Sequence, residues 1–595
     1  MQSINYAIII LITLLPIIES FDREFGFKIL LVIALLFTIS TIKLVKRLSL
    51  FSLLFLIFLT FTLASSIFSL SIVRSFTEYL RYFAYFLIFL SVSSDFSSSK
   101  IFEKKFAMTI VISTTILCIL SFIYHQPRFG LSPPQNTMNL FYTAFRHNRI
   151  TDILIFAIPI VQSLSFPKFF TKKISLKLIL LILFTSMLIW TRGIAAITAL
   201  SLSYCFVLLS KRGKMSSLHK YGLTLTIITI VLIIGSFAIS NIPSFFPFKD
   251  LARGFYKPLQ YEQRIEYLIQ ALQGWKTSKL IGTGLDTYRF SSKFYQAAPG
   301  HWSWYAHNHY IQLFTETGII GGGLFISLIL LTMVSCVNIC MKSLQSDDRN
   351  ASIINALFIG AFASILLSLI DYPWQFHSIF LYFWIALAII LSRKKQQTYI
   401  LSASAKYLIL TIFLVLSIAR VFFISDSEAI LKQSNQFIAS EDYADALSLL
   451  INQNKLDQRN GELTQAIAGI YTLRNEFDNA HLWYEKSIKL LSYDSQETII
   501  QDYQLYMKEI ELSLDQNNFP RAYGLYTISL RKYPIIHLKF SGWKIYREIN
   551  TLLLESRLSA SAESLNTYSK FVLSEIENLT LTPSDIITTV DMFTK

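Results

Sequence analysis

Residues 317–340 read TGIIGGGLFISLILLTMVSCVNIC, a run without a single charged side chain. At about 1.5 Å per helical residue, this run is longer than the roughly 30 Å hydrocarbon core of a bilayer. Comparable apolar runs recur along the 595-residue chain, which is 53% hydrophobic and only 15% charged. The sequence therefore predicts an all-α polytopic membrane protein. It excludes a cytosolic enzyme, a disordered chain, a disulfide-rich secreted domain and an outer-membrane barrel.

Apolar length assigns about thirteen candidate spans to residues 1–424. They cover residues 4–19, 26–42, 48–72, 77–94, 106–125, 150–166, 174–190, 193–210, 221–240, 317–340, 351–370, 376–392 and 406–424. The first run is interpreted as a span and not as a removable signal, because no basic residues precede it and Pro16 and Glu19 close it without a small-residue cleavage site. We expect a transmembrane helical bundle of about 12–13 spans.

The net charge of +15 is concentrated in short loops that alternate along the chain. The basic clusters are 43–47, 100–105, 168–177, 211–220, 342–349 and 393–395. Because Lys and Arg are retained on the cytoplasmic side, these clusters predict a cytoplasmic N-terminus and an external tail after residue 424. The charge follows the span ends, so no nucleic-acid partner is expected. The other face then presents the loop 126–149, the turn at 190–192, the long loop 241–316 and the turn 371–375.

The four cysteines are interpreted as packing residues. Cys118, Cys205, Cys336 and Cys340 all lie inside apolar runs, so neither a disulfide framework nor a thiolate metal site is predicted. The sequence also contains no phosphate-binding P-loop, no H-E-x-x-H metalloprotease motif and no G-x-S-x-G nucleophile motif.

Residues 425–595 are polar, with apolar positions at helical spacing. Ala446 lies one tetratricopeptide period of about 34 residues before Ala480, and a displaced third copy places Ala522 after Phe519-Pro520. Small residues at these positions let paired helices approach closely. The pattern predicts an external, soluble α-helical, tetratricopeptide-like domain that binds a protein partner. A generic helical bundle is the alternative.

The residues able to carry chemistry lie at the end of the long loop. His307-Asn308 is followed by Glu316 and Gly318 as the chain enters a span. A histidine at the edge of the membrane can take or give a proton near neutral pH. Asn308, Glu316 and Gly318 are expected to support its geometry.

Three arginines, Arg192, Arg264 and Arg289, fall in segments predicted to face outward. A guanidinium group suits phosphate oxygens, and an anion would compensate a cation near membrane depth. Alternatively, Arg192 reaches lipid headgroups, and Arg264 pairs with Glu262 or Glu266. His301, His309 and the loop tryptophans are interpreted as interfacial anchors.

These pieces resemble the bacterial O-antigen ligase and O-antigen polymerase superfamily, which also includes protein O-oligosaccharyltransferases. The resemblance is carried by His307-Asn308 with its downstream Glu-x-Gly, by Arg264 with Trp275 and the stretch 280–284, by Thr191-Arg192-Gly193, and by their order around one external loop. Asp371-Tyr372-Pro373 is similar to a late-span signature of some members.

The resemblance implies a metal-independent glycosyltransferase in a bacterial inner membrane. It would take a glycan from an undecaprenyl-pyrophosphate carrier and place it on an acceptor hydroxyl of a lipid, a glycan or a protein. Carried over by position, Arg192 and Arg264 bind the pyrophosphate, with Arg289 as a further candidate, and His307 acts on the acceptor. The donor is already activated, so no cofactor is expected.

Several alternatives remain open at this stage. A ligase, an O-antigen polymerase and a protein O-oligosaccharyltransferase differ only in the acceptor. A lipid or glycan transporter with a docking tail is a different class, although transporters usually carry ionisable residues within their spans and matching halves. A scaffold that uses only its tail would need no histidine at the edge of a span.

Overall fold

A computed structural model of the chain is almost entirely α-helical over the residues that it describes. These are residues 2–45, 47–94, 100–124, 147–164, 176–191, 193–210, 224, 261–296, 301–344, 349–393, 398–490, 495–516 and 518–533. The predicted ninth span, 221–240, lies outside them apart from residue 224, as does most of the loop 126–149.

Twenty α-helices are assigned along these residues. In chain order they are α1 (Gln2–Phe21), α2 (Arg23–Thr41), α3 (Leu50–Ser66), α4 (Ile72–Ser94), α5 (Lys100–Tyr124), α6 (His147–Ser163), α7 (Leu176–Trp190), α8 (Ile194–Ser210), α9 (Tyr261–Thr277), α10 (Tyr288–Phe294), α11 (His309–Leu344), α12 (Arg349–Leu367), α13 (His377–Leu391), α14 (Ala403–Ile418), α15 (Ser427–Ala439), α16 (Tyr443–Leu456), α17 (Gly461–Leu473), α18 (Phe477–Leu490), α19 (Ser495–Asp515) and α20 (Phe519–Lys532). A 3₁₀ turn (Pro373–Gln375) precedes α13, and a π-helical turn (Ala419–Phe423) follows α14.

The chain forms two compact units. The first contains Met1–Ser65, Phe76–Arg264 and Tyr305–Phe423, and the second contains Ser66–Ser75, Ile265–Trp304 and Ile424–Lys595. The two units are defined by contacts between residues and not by their position relative to a membrane. The division into a transmembrane domain, 1–424, and an external domain, 425–595, therefore stays a prediction.

Several of the helices have the length and composition of membrane spans. Five described stretches are long and apolar enough to cross a membrane: Ile4–Phe21, Arg23–Thr41, Ile101–Ser121, His309–Lys342 and Ala403–Ala439. Shorter apolar helices accompany them: Leu50–Ser66, Leu176–Leu188, Ile194–Val207, Ile353–Leu367 and His377–Leu391. The predicted all-α polytopic membrane protein is confirmed.

Helix α13 forms the core of the first unit. Every residue of α13 is buried, which is the pattern of a helix surrounded by others on all sides. Its Trp384 packs against Phe55 and Phe89, with ring centroids 4.6 Å and 5.7 Å away. In α14, by contrast, Phe413 is the one buried residue, and the exposed apolar side chains suit contact with lipid.

Two span boundaries differ from the prediction. The run 48–72 is not one helix: α3 ends at Ser66, and Ser69 Oγ accepts a hydrogen bond from the Ser71 backbone N–H at 3.0 Å in the turn that follows. The run 317–340 is preceded by a further helical stretch, which begins at His309 where the Asn308 side chain caps it, and Gly318 interrupts the helix near the start of the run. Apolar length marks the part of a helix that can cross a membrane and misses its polar first turns.

A small antiparallel sheet lies in the first unit. Strand β1 (Arg47–Ser49) pairs with β2 (Thr398–Ile400), with Leu48 opposite Tyr399. The strands follow α2 and α13, next to two of the basic clusters. The predicted orientation assigns both of these loops to the cytoplasmic side.

The C-terminal helices of the second unit pack as three successive pairs, α15 with α16, α17 with α18, and α19 with α20. Ala446, Ala480 and Ala522 each occupy the fourth position of the second helix of a pair, and all three are fully buried. Their lack of a long side chain allows the close helix approach inferred from the repeat. The tetratricopeptide assignment itself stays a prediction.

The second unit also includes a glycine turn from the long loop. Gly284 has φ +105°, and a Cβ atom there would lie 2.0 Å from Ser69 Oγ. Beside it, the Leu70 backbone N–H donates to the Thr283 carbonyl at 2.9 Å. Only glycine permits both this backbone conformation and this close approach. The Gly-x-Gly stretch is therefore explained by packing against segment 66–75.

Candidate functional site

The candidate site is built on a histidine–carboxylate pair in the first unit. Nδ1 of His307 lies 3.3 Å from Oδ1 of Asp371. The His307 side chain is 18% exposed and that of Asp371 is 9% exposed, so the pair is shielded from water but reachable. The His307 backbone has φ +51°, a left-handed conformation that is uncommon outside glycine and that persists where the surroundings enforce it.

Hydrogen bonds between the start of α11 and the end of α12 enforce this geometry. The Asn308 amide donates to the Leu369 carbonyl at 2.9 Å, and the His309 backbone N–H donates to the Ser368 carbonyl at 2.9 Å. At the same time, Asn308 Oδ1 accepts from the Ile311 N–H at 3.0 Å. Asn308 therefore ties the residue next to His307 to the segment that carries Asp371.

Aromatic rings surround the pair. Tyr372 presents its ring to His307 at a centroid distance of 4.8 Å and an interplanar angle of 80°. Its other neighbour is Tyr305, stacked at 4.7 Å, whose hydroxyl accepts a hydrogen bond from Arg23. The Tyr372 backbone N–H also donates to Asp371 Oδ1 at 3.0 Å. These contacts leave the imidazole little freedom to rotate.

Arg264 approaches the other oxygen of the same carboxylate. Its Nη1 donates to the Ile370 carbonyl at 2.9 Å, and its Nη2 lies 3.9 Å from Asp371 Oδ2. The Arg264 side chain is 40% exposed. Glu266, one of the two partners considered for it from the sequence, instead lies 3.3 Å from His301 Nδ1. The structure thus brings Arg264, His307 and Asp371 together.

Glu316 connects to the histidine segment through a glutamine. The Gln312 side chain accepts from the Ala306 N–H at 3.2 Å and donates to Glu316 Oε1 at 2.9 Å. Glu316 is buried at 3% exposure. Two residues later Gly318, with φ +65° and ψ −171°, interrupts α11. Glu316 is thus linked to the residue before His307 through Gln312, and Gly318 sets the direction of the helix that follows.

Sequence reasoning missed a second charged cluster in the same unit. Arg149 Nη2 lies 3.0 Å from Glu19 Oε2, and Glu19 also accepts hydrogen bonds from the backbone N–H groups of His377 and Ser378 at the start of α13. The carboxyl group of Asp152 interacts electrostatically with both Arg149 and Asp371. The sequence feature that could have indicated this cluster is that Glu19 and Arg149 are single charged residues at the ends of apolar runs.

Arg192 lies outside the described residues, whereas its neighbours Thr191 and Gly193 do not. Gly193 packs closely on α6, because a Cβ atom there would lie 2.3 Å from Thr151 Cγ2. Thr151 directly precedes Asp152. The predicted convergence of Arg192 with His307 therefore stays a prediction, although the chain on both sides of Arg192 is placed in the same unit.

Arg289, the third candidate arginine, belongs to the second unit. It is 5% exposed and forms an ion pair with Glu462. Its guanidinium carbon also lies 4.2 Å from the ring centroid of Trp304. A substrate-binding role for Arg289 stays a prediction.

The interpretation of His309 as an interfacial anchor is wrong. It is 2% exposed, its Nε2 lies 3.2 Å from the Tyr82 hydroxyl, and its ring packs 5.1 Å from that of Trp374. A packed aromatic core, which sequence spacing did not reveal, surrounds it. Within the described ranges, no group of three or more His, Cys, Asp or Glu side chains is arranged to hold a metal ion.

Fold and site together define a multi-pass helical membrane protein with an imidazole, a carboxylate and a guanidinium grouped at helix ends. The family model described as O-antigen ligase matches residues 178–326, and this part of the chain is similar to the O-antigen ligase superfamily. Members of this family are glycosyltransferase-like enzymes. The matched range contains the candidate site residues Arg192, Arg264, Arg289, His307, Asn308, Glu316 and Gly318. Asp371 lies outside it. A search of curated proteins found no match to the chain.

Proposed function

We propose that this protein is a ligase-type glycosyltransferase that moves a glycan from an undecaprenyl-pyrophosphate carrier to an acceptor hydroxyl, on the external face of a bacterial inner membrane. The observation that supports this function is the 3.3 Å contact between His307 and Asp371, with Arg264 beside the same carboxylate. A buried carboxylate next to one ring nitrogen favours one orientation of an imidazole and leaves the other nitrogen for chemistry.

The proton transfer follows from this arrangement. Asp371 holds His307 through Nδ1, and Nε2 of His307 accepts the proton of the acceptor hydroxyl. The acceptor oxygen then attacks the anomeric carbon of the glycan while the bond from that carbon to the phosphate oxygen breaks. General-base catalysis of this kind contributes about 10²–10⁴-fold.

The leaving group is an anion that needs compensation. Arg264 offers several N–H donors in one plane, which suits phosphate oxygens. It already engages Ile370, and its 40% exposed side chain leaves donors available for a ligand. Arg192 is the second cation of this proposal. The bond from the glycan to pyrophosphate is already an activated bond, and its leaving group is stabilised once its charge is neutralised. The proposed step therefore includes no nucleotide or metal ion.

The acceptor defines the particular activity. A ligase transfers to a lipid-linked core, a polymerase to another carrier-bound glycan and a protein O-oligosaccharyltransferase to Ser or Thr. We place the ligase first, as the matched family description suggests. Orientation follows from the basic loops, which assign the helix ends that carry His307 and Asp371 to the external side.

The test is transfer in reconstituted vesicles that contain the full chain and a lipid-linked glycan, with lipid-linked core, carrier-bound glycan and a Ser/Thr-containing protein offered separately. Wild-type protein should modify the lipid-linked core, and His307→Ala should abolish transfer while membrane insertion is retained. His301→Ala is the matched control, since His301 is an exposed histidine of the same loop paired with Glu266. Full transfer by His307→Ala would contradict the proposed role, and modification of another acceptor would reassign the activity.

A further inference from the structure

Glu462, at the start of α17, is a buried carboxylate that binds two cations of the long loop. Both partners lie on α10. Arg289 forms an ion pair with Glu462 Oε2, and Lys293 Nζ lies 2.9 Å from Glu462 Oε1. Glu462 is 8% exposed and Arg289 is 5% exposed. Removal of one member of a buried ion pair leaves an uncompensated charge, so replacement of Glu462 should destabilise this arrangement.

Further polar contacts join the helical pairs to loop segments of the same unit. Arg74 lies 3.1 Å from both Asp286 and Glu428. Asp457, just before α17, accepts a hydrogen bond from the Ser71 hydroxyl at 2.8 Å. Acidic residues of the C-terminal helices therefore meet basic and hydroxyl groups of the two segments 66–75 and 265–304.

The contacts continue from α10 towards the end of segment 265–304. Lys293 Nζ lies 4.7 Å from the ring centroid of Trp302, and the Ser303 N–H donates to Ser292 Oγ at 2.8 Å. Gln270 on α9 donates to the His301 carbonyl at 2.8 Å. Residues near the two ends of segment 265–304 are thereby joined to one another and to α10, which Glu462 binds.

In the sequence, Arg264 directly precedes this segment and His307 follows it by three residues. We propose that Glu462 is a positioning residue: by anchoring Arg289 and Lys293 it holds the segment whose two ends carry the guanidinium and the imidazole of the transfer site. This inference rests on the proposed function. It assigns Glu462 a role in holding segment 265–304, in addition to any binding of a partner by the C-terminal helices, and it assigns Arg289 to the anchor.

The experiment compares Glu462→Gln with two matched variants of the full chain. Glu462→Asp keeps the carboxylate, and Glu511→Gln removes an exposed carboxylate from α19 of the same unit. Hydrogen exchange of residues 288–294 and 301–304 is measured without substrate, and kcat and KM are measured for glycan transfer.

Glu462→Gln should accelerate exchange in both stretches and lower kcat by about ten-fold or more, since small misplacements of reacting groups can cost as much as about 10²-fold. Glu462→Asp should restore most of both readouts, and Glu511→Gln should match wild type. Should Glu462→Gln fold poorly, Lys293→Gln, which leaves Arg289 paired, should shift both readouts in the same direction by a smaller factor.

Unchanged exchange in Glu462→Gln, or faster exchange with an unchanged kcat, would overturn the inference while wild-type transfer continues. Absence of transfer by wild-type protein would instead overturn the proposed function, and with it the role in transfer assigned to Glu462.

Discussion

One carboxylate oxygen of Asp371 lies 3.3 Å from His307 Nδ1, and the other lies 3.9 Å from Arg264 Nη2. The same carboxylate thus organises the proposed base and a proposed phosphate ligand. Asp371→Asn keeps the shape of the side chain but removes its charge and one acceptor. We expect transfer to fall about 10²–10⁴-fold, because the imidazole loses its orientation. The measurement is the kcat of transfer in vesicles. Wild-type kcat in Asp371→Asn would show that His307 acts without this partner.

Arg264→Lys keeps the positive charge but loses the planar set of donors. Hydrogen bonds to charged groups contribute about 1.5–3 kcal/mol. We therefore expect kcat/KM for the lipid-linked glycan to fall on the order of 10- to 100-fold, mostly through a higher KM. Arg474→Lys, at an ion pair with Glu476 in the C-terminal region, is the control and should leave both constants unchanged. An effect on the KM for the acceptor alone would contradict the proposed binding of pyrophosphate by Arg264.

Gly318→Ala places a Cβ atom at φ +65° and ψ −171°, a backbone region populated essentially only by glycine. The strain is about 1–3 kcal/mol, so the thermal midpoint of unfolding in detergent should fall. Gly323→Ala is the control on the same helix. No atom lies within 4 Å of the position that its Cβ would occupy, and alanine suits a helix better than glycine. Equal midpoints for the two variants would mean that α11 relaxes at Gly318 without cost.

His481 links α18 to α19 through hydrogen bonds to Asp502 at 2.6 Å and Glu509 at 2.7 Å. Burial alone lowers the pKa of His481, but these two hydrogen bonds raise it above its ordinary value. For Asp502, burial raises the pKa, but the bond from His481 and the nearby Lys532 lower it below its usual range.

The sign of the pH dependence follows from these shifts. The stabilisation from His481 is complete below the ordinary histidine pKa of about 6.5 and is lost as the pH rises through the raised value. The stabilisation from Asp502 is present above about pH 4 and is lost as the pH falls further. The thermal midpoint of the full chain should therefore be higher at pH 6 than at pH 8, and His481→Gln should reduce the difference. An identical difference in the variant would show that another group titrates.

Much of the fold could be predicted because the bilayer constrains local sequence. Every polar backbone group within the membrane must be satisfied inside the chain, so a long apolar run becomes a helix whatever its neighbours are. Such runs located twelve of the thirteen candidate helices, and the thirteenth lies outside the described residues. Apolar length could not show where a helix begins, as at Asn308, because caps are set by single polar side chains.

The candidate site could be predicted only in part. His307 and Arg264 were recognisable by residue type and by their place beside the membrane. Asp371 was noted only for its resemblance to a signature, because its role depends on a partner more than sixty residues away in the sequence. Glu19 and Arg149 were missed for the same reason.

The sequence alone determined that this chain is a polytopic helical protein, that its basic loops alternate, and that one histidine and three arginines fall on one predicted face. Those properties depend on composition and spacing along the chain. The tertiary structure decided which of these side chains meet. Asp371 lies between His307 and Arg264, and Arg289 forms an ion pair with Glu462 within the second unit. Ion pairs between distant segments form only after packing brings their ends together and removes water, so no local pattern encodes them.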